Sequence, residues 1–180
     1  MHRTLRAALA ACSVIAAAAC GGGNDSAPLG PLPNAATGQL EVIPVTDNRH
    51  IQGPISYPRV PPAGGNHAPA WQNCGYYDSP IPTEQAVHSM EHGAVWITYH
   101  PNLPKDQVNA LAQLARGQSF VLVSPFPNLE APVIATAWGR QQKIASAKDP
   151  SVTEFVRQFR AGPQTPEPGA PCTGGTGSPK

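Results

Sequence analysis

The chain has 180 residues, of which 22 are proline, 17 are glycine and only 13% are charged. This length is enough for one domain with a single core. The formal net charge is +1, which argues against a nucleic-acid partner, because such proteins present a basic face. The abundance of proline and glycine predicts a loop-rich fold that depends on fixed turns and cross-links.

The first nineteen residues have the pattern of a secretory signal peptide. Arg3 and Arg6 precede a mostly apolar stretch of about a dozen residues, whereas a membrane-spanning helix needs about 20. The stretch ends at residues 17–20, Ala-Ala-Ala-Cys, which resembles a bacterial lipobox. We therefore expect Cys20 to carry lipid and to anchor the protein to the outer face of the cytoplasmic membrane. An ordinary secretory peptide with an incidental Cys20 is the alternative. Cleavage after residue 19 would remove two arginines and leave 10 basic against 11 acidic residues, a net charge of −1.

The remaining chain divides by composition into three parts. Residues 20–37 are mostly small or polar and predict a flexible tether. Residues 38–175 are expected to form a single globular domain, and residues 176–180 a disordered tail. Cys12 would leave with the signal peptide and Cys20 would carry lipid, so Cys74 and Cys172 remain. An oxidising compartment favours a disulfide between these two cysteines. A metal-bound Cys74 thiolate, with Cys172 unpaired, is the alternative.

The periodicity of the domain predicts a small α+β fold. A first strand is expected at residues 40–45, with Pro44 indicating a sheet edge. Residues 46–82 form a long Pro/Gly-rich loop, which Trp71, Tyr76 and Tyr77 would keep ordered. Helices are predicted at residues 83–93, 104–116 and 150–161, and buried strands at residues 94–99, 119–124 and 132–138. The expected fold is a single small domain with a sheet of about 3–5 strands and two to three helices.

The segment at residues 83–93 contains the most informative pattern. Thr83 is a potential N-cap and Gly93 a helix stop. His88 and His92 are four residues apart and share a helix face, as metal-binding histidines do. Adding His67 from the loop, and Glu91 as a ligand or a hydrogen-bond partner of one, predicts a zinc or copper site.

Three other interpretations of this segment remain open. Residues 88–92 match the H-x-x-E-H pattern of inverted zinc peptidases, in which Glu91 would be the general base and Glu154 the further acid. Met90, beside His88, would instead favour Cu(I). The metal-independent alternative is an interaction or scaffold module in which the same residues form a buried polar network. His50 and His100 are interpreted as surface residues without a role.

Three long motifs resemble a known family. They are residues 61–67 (Pro-Pro-Ala-Gly-Gly-Asn-His), residues 71–77 (Trp-Gln-Asn-Cys-Gly-Tyr-Tyr) and residues 86–99, which contain His88, Glu91 and His92. The chain resembles an actinobacterial family of secreted or membrane-anchored proteins known as domain of unknown function three-one-zero-five. The resemblance covers roughly residues 38–175. It implies an extracytoplasmic location and no particular activity, and Met90 stands where that family commonly has leucine.

Overall fold

The computed structural model describes residues 31–180. The predicted signal peptide, the lipidation site Cys20 and residues 20–30 of the predicted tether lie outside this range. Within residues 31–180, no helix combines the length and the hydropathy that crossing a bilayer requires.

A single mixed sheet of six strands forms the centre of the described domain. The strands are β1 (Glu41–Val42), β2 (Gly75–Tyr76), β3 (Val95–Tyr99), β4 (Val121–Pro125), β5 (Val133–Ala137) and β6 (Arg140–Ile144). Their spatial order is β1, β6, β5, β3, β4 and β2. Strand β3 pairs in parallel with β4 and antiparallel with β5, and the short β2 pairs in parallel with β4. The α+β prediction is confirmed, with more strands than the three to five expected.

Three helices accompany this sheet in the described residues: α1 (Thr83–Glu91), α2 (Lys105–Gly117) and α3 (Pro150–Phe159). Helix α3 begins as predicted, because the Asp149 carboxylate accepts a hydrogen bond from the Ser151 backbone N–H at 2.9 Å. Thr83 does not cap α1. Pro82 takes the capping position, and no side chain caps that end.

The helices cover both faces of the sheet. Val95 and Ile97 of β3 pack in one apolar cluster with α2 and α3. Trp96, which points to the opposite face, packs in another cluster with Val87 and Met90 of α1. This alternation follows from the two-residue period of a strand. The face of α1 that carries Met90 is thus fixed against the sheet, and its other face is free to hold polar side chains.

The two ends of the domain are more ordered than their composition predicts. Among residues 31–37, assigned to the tether, Leu32 packs against the α2–α3 cluster and Thr37 donates a hydrogen bond to Asp149 at 2.6 Å. The expected disordered tail at residues 176–180 is also held in place. The Thr176 N–H bonds the Trp71 carbonyl at 2.9 Å, and the Lys180 N–H bonds the Tyr76 carbonyl at 2.8 Å.

Candidate metal centre

The end of α1 supplies three of the four predicted ligands. His88 and Glu91 lie in the last turn of the helix, and His92 is the residue that ends it. All three are buried, with 2–4% of their surface exposed. Met90 lies in the apolar cluster with Trp96 and Leu122 on the other side of the helix. Its thioether is therefore not among the histidines, and the H-x-M interpretation has no geometric support.

The Pro-rich loop brings His67 onto α1. Gly64 has a φ of +131°, and a Cβ there would lie 3.0 Å from a Val45 methyl carbon, so this turn favours glycine. Farther along, the Ser89 hydroxyl donates to the Gln72 carbonyl at 2.7 Å and accepts from the Gln72 N–H at 3.0 Å. These contacts fasten the loop to the helix and leave His67 completely buried.

His50 joins the site through a short backbone bridge. The Ile51 N–H donates to the His67 carbonyl at 2.7 Å, and the His67 N–H donates to the Arg49 carbonyl at 3.0 Å. The His50 ring lies 4.9 Å from the His67 ring and 4.7 Å from the His88 ring, measured between centroids. Its side chain remains 51% exposed, so it forms the solvent side of the cluster.

Among residues 31–180, two sets of side chains could each hold a metal ion. In the first, the inner set, the potential ligand atoms of His50, His67, His88 and Glu91 all lie within 4.8 Å of one another. The second, the outer set, meets the same distance and consists of Glu91, His92 and Glu167. Glu91 belongs to both sets. The Nε2 atoms of His88 and His92 are 3.0 Å apart and connect the sets a second time.

Backbone carbonyls fix the orientation of three imidazoles. The Nδ1 atoms of His67, His88 and His92 lie 2.8, 2.7 and 2.6 Å from the carbonyl oxygens of Gly65, Ala68 and Pro171. Because a carbonyl oxygen can only accept, each Nδ1 carries the proton. In the neutral ring the Nε2 then presents its lone pair, and metal-bound histidines commonly have this arrangement, with the other ring nitrogen bonded to a carbonyl oxygen.

One buried acceptor in the inner set has no donor. His67 Nε2 lies 2.9 Å from Glu91 Oε2, yet the two atoms do not form a hydrogen bond, and this nitrogen has no other hydrogen-bond partner among the described residues. The other oxygen of Glu91 accepts from the Asn48 amide at 3.2 Å. With His67 in the neutral, Nδ1-protonated form, two atoms that carry lone pairs therefore face each other, and both belong to buried residues.

Burial also keeps His88 neutral. Desolvation lowers the pKa of His88 to about 4, the bond to the Ala68 carbonyl opposes this shift, and the neighbouring histidines add to it. At neutral pH the ring is therefore uncharged, which is the protonation state that binds metals.

The C-terminal tail closes the site from the other side. The predicted disulfide is present between Cys74 and Cys172, with their Cα atoms 5.4 Å apart, so Cys74 is not a thiolate ligand. Pro171, which bonds His92, is the residue before Cys172. The Trp71 ring packs against two of these histidines: its centroid lies 5.7 Å from that of the His88 ring and 5.1 Å from that of the His92 ring.

Other residues considered in the sequence lie elsewhere or have different surroundings. Glu154 is ion-paired with Arg157 on the exposed side of α3 and belongs to neither set, so it does not act as the further acid of a peptidase site. His100, interpreted as a surface residue, is buried and accepts a hydrogen bond from the Asn102 N–H at 3.1 Å.

Sequence reasoning missed His50, Asn48 and Glu167. The first two lie in a short segment with no motif, and only its backbone pairing with residue 67 brings it to α1. Glu167 lies in the Pro/Gly-rich tail. The predicted disulfide was the one available indication, because it would place this tail beside the loop that carries His67.

Comparisons with known proteins identify the family without giving a function. A family model described as a protein of unknown function (DUF3105) matches residues 50–174. Neither the curated proteins nor the solved structures gave a significant match. The matched segment covers well over half of the chain and includes every residue of the inner set. The chain therefore belongs to the DUF3105 family of proteins of unknown function.

Proposed function

We propose that this protein is an envelope lipoprotein whose domain binds a transition-metal ion through His67, His88 and Glu91, with His50 completing the site toward solvent. One observation carries the proposal: the buried His67 Nε2, without a donor, faces a Glu91 oxygen at 2.9 Å. Placing two such acceptors together is costly unless positive charge lies between them. A cation at this point would bind both.

The ligand chemistry favours Zn²⁺ or Cu²⁺. Imidazole nitrogens and a carboxylate suit both ions, whereas Cu(I) prefers sulfur. The nearby sulfur atoms are engaged elsewhere, since Met90 lies in the apolar core and Cys74 is in a disulfide. His50 is the one ligand of the inner set that is mostly exposed, and so the site would communicate with solvent on that side.

Elemental analysis tests the metal site directly. Protein purified without chelator should contain about one bound ion per inner site, and the His67→Gln variant should lose it. His100→Gln is the matched control, because His100 is a buried histidine outside both sets. Circular dichroism would establish that each variant is folded. Equal metal content in the parent and in folded His67→Gln would refute the proposal.

The anchoring part of the proposal is supported by the sequence at residues 17–20 alone. Lipid on Cys20 would hold the domain at the outer face of the cytoplasmic membrane, where disulfides persist. The Cys20→Ser variant should be released into the medium or should retain its signal peptide. If it fractionates and migrates like the parent, the protein is simply secreted.

A further inference from the structure

The geometry points to a second cation position, at the outer set of Glu91, His92 and Glu167. This inference rests on the proposed function, because Glu91 belongs to both sets. It extends that function from a single buried ion to a pair of ions, of which the outer one is accessible to solvent. The chemical class of its ligand is a divalent first-row transition-metal cation.

Backbone hydrogen bonds place Glu167 at an electrostatically unfavourable position. The Glu167 N–H donates to the Glu91 carbonyl and the Gly169 N–H to the His92 carbonyl, each at 3.1 Å. These carbonyls belong to the C-terminal end of α1, which carries the negative end of the helix dipole. The Glu167 carboxylate is also near that of Glu91. Two carboxylates at the negative end of a helix are stabilised if a cation lies between them.

His92 supplies an independent indication. Its Nδ1 donates to the Pro171 carbonyl, which leaves Nε2 with a lone pair. That nitrogen lies 3.0 Å from His88 Nε2, whose own Nδ1 also donates to a carbonyl, so with both rings in this tautomer neither Nε2 carries a proton to donate to the other. The side chain of His92 is 95% buried, and its Nε2 lies 3.7 Å from Glu167 Oε2. In this tautomer a buried nitrogen lone pair therefore lies close to a carboxylate.

Access to this position comes from the surface. The side chain of Glu167 is 56% exposed. A polar cavity of about 230 Å³ is lined by Asn48, whose amide bonds Glu91, and by Pro166, which precedes Glu167, although the three side chains of the outer set do not themselves line it. One imidazole and two carboxylates suit Zn²⁺ or Mn²⁺. A carboxylate shared by two sets is also typical of centres with two ions about 3.5–4 Å apart. The outer ion would exchange with solvent on the side of Glu167, and the inner ion on the side of His50.

Zinc stoichiometry tests this inference. The full-length protein, its Glu167→Gln variant and a Glu130→Gln control would be dialysed against the same buffered Zn²⁺ solution and analysed for metal. Glu130 is an exposed acid that pairs with Lys143 and belongs to neither set. We expect the parent and the control to bind two equivalents and Glu167→Gln to bind one. Since Glu167 is largely exposed, its replacement should leave the fold intact.

Each alternative outcome has a distinct meaning. One equivalent in all three proteins would overturn the outer site and leave the proposed function standing. Two equivalents in Glu167→Gln would show that the second ion binds elsewhere and would overturn the assignment to Glu167. No bound zinc in any of the three proteins would overturn both this inference and the zinc form of the proposed site.

Discussion

Replacing Glu91 by glutamine separates a metal site from a metal-independent polar network. The Glu91 carboxylate is 2% exposed, accepts one hydrogen bond from Asn48 and faces a His67 nitrogen that does not donate to it. Without a cation, this buried charge is poorly compensated. Glutamine has nearly the same shape, can still accept from Asn48, and places an N–H where His67 Nε2 can accept it.

The magnitude follows from these contacts. A new hydrogen bond across the 2.9 Å between residue 91 and His67 Nε2 contributes about 1 kcal/mol. Removal of the charge also relieves part of a desolvation cost of several kcal/mol. We therefore expect metal-free Glu91→Gln to be more stable than the parent by about 1–3 kcal/mol, or about 3–9 °C in Tm for a domain of this size.

Adding zinc should reverse the order of the two proteins. An ion present at about 1,000 times its Kd stabilises the parent by about 4.1 kcal/mol, which exceeds the advantage of about 1–3 kcal/mol expected for the metal-free variant. The variant gains less because it has lost an anionic ligand. The assay is thermal unfolding of both proteins with a chelator and again with Zn²⁺. Glu130→Gln removes an exposed carboxylate and should shift stability by no more than about 0.5 kcal/mol in either buffer.

The polar-network alternative makes the opposite prediction. There His67 would be protonated and would form a buried ion pair with Glu91. Breaking such a pair by removing one charge costs about 3–5 kcal/mol, with or without zinc. Destabilisation of Glu91→Gln in the chelated state would therefore refute the metal-site reasoning and would favour the scaffold module.

Two further predictions concern the framework around the site. The Cys74→Ala/Cys172→Ala variant should lose up to about 4–5 kcal/mol of unfolding free energy, measured by urea denaturation. The reason is that the disulfide closes a loop with a sequence separation of 98 residues. A reducing agent that destabilises the parent should leave the stability of this variant unchanged. Gly93→Ala should lower the unfolding free energy by about 2 kcal/mol or more, since Gly93 has a φ of +111° and a Cβ there would lie 2.8 Å from the Ala161 Cα. Gly117→Ala is the control for Gly93→Ala, because a Cβ at Gly117 meets nothing within 4 Å. The unfolding free energy of Gly117→Ala should rise by about 0.5 kcal/mol. Equal losses of stability in the two variants would contradict the steric argument.

The elements that the sequence predicted well are those whose information is local. Helix α3 has a capping Asp149 and an apolar face with Val152, Phe155, Val156 and Phe159, all of which are buried. Strand β6 (Arg140–Ile144) was missed, because Arg-Gln-Gln-Lys-Ile has no apolar alternation. It is a strand because β1 and β5 pair with its two edges, and its buried Gln141 is satisfied by the Pro61 carbonyl and the Thr136 hydroxyl.

In the candidate site, too, only the residues with a local sequence pattern were predictable. Helical spacing indicated His88 and His92, because four residues make one turn. No local pattern indicates His50, since its position depends on a bridge to residue 67, seventeen positions away. Glu167 depends on a tail that is tied to the domain by the disulfide and by bonds to the end of α1. Composition suggested disorder at both ends, but specific hydrogen bonds hold residues 31–37 and 176–180.

The candidate ligands come from one helix and from several irregular segments of the chain. Helix α1 contributes His88, Glu91 and His92, and the remaining candidate ligands come from irregular segments that carry His50, His67 and Glu167. The loop that carries His67 is held to α1 by backbone hydrogen bonds and by the Ser89 hydroxyl, and the segment of His50 pairs with residue 67. The tail bonds the end of α1 through the Glu167 N–H, and the disulfide at Cys172, the residue after Pro171, ties it to the loop. An ion shared by α1 and these segments would join them at one more point. Metal binding should then be coupled to the order of the loops more strongly than to the sheet, because β3, β4 and β5 are already fully buried on both faces.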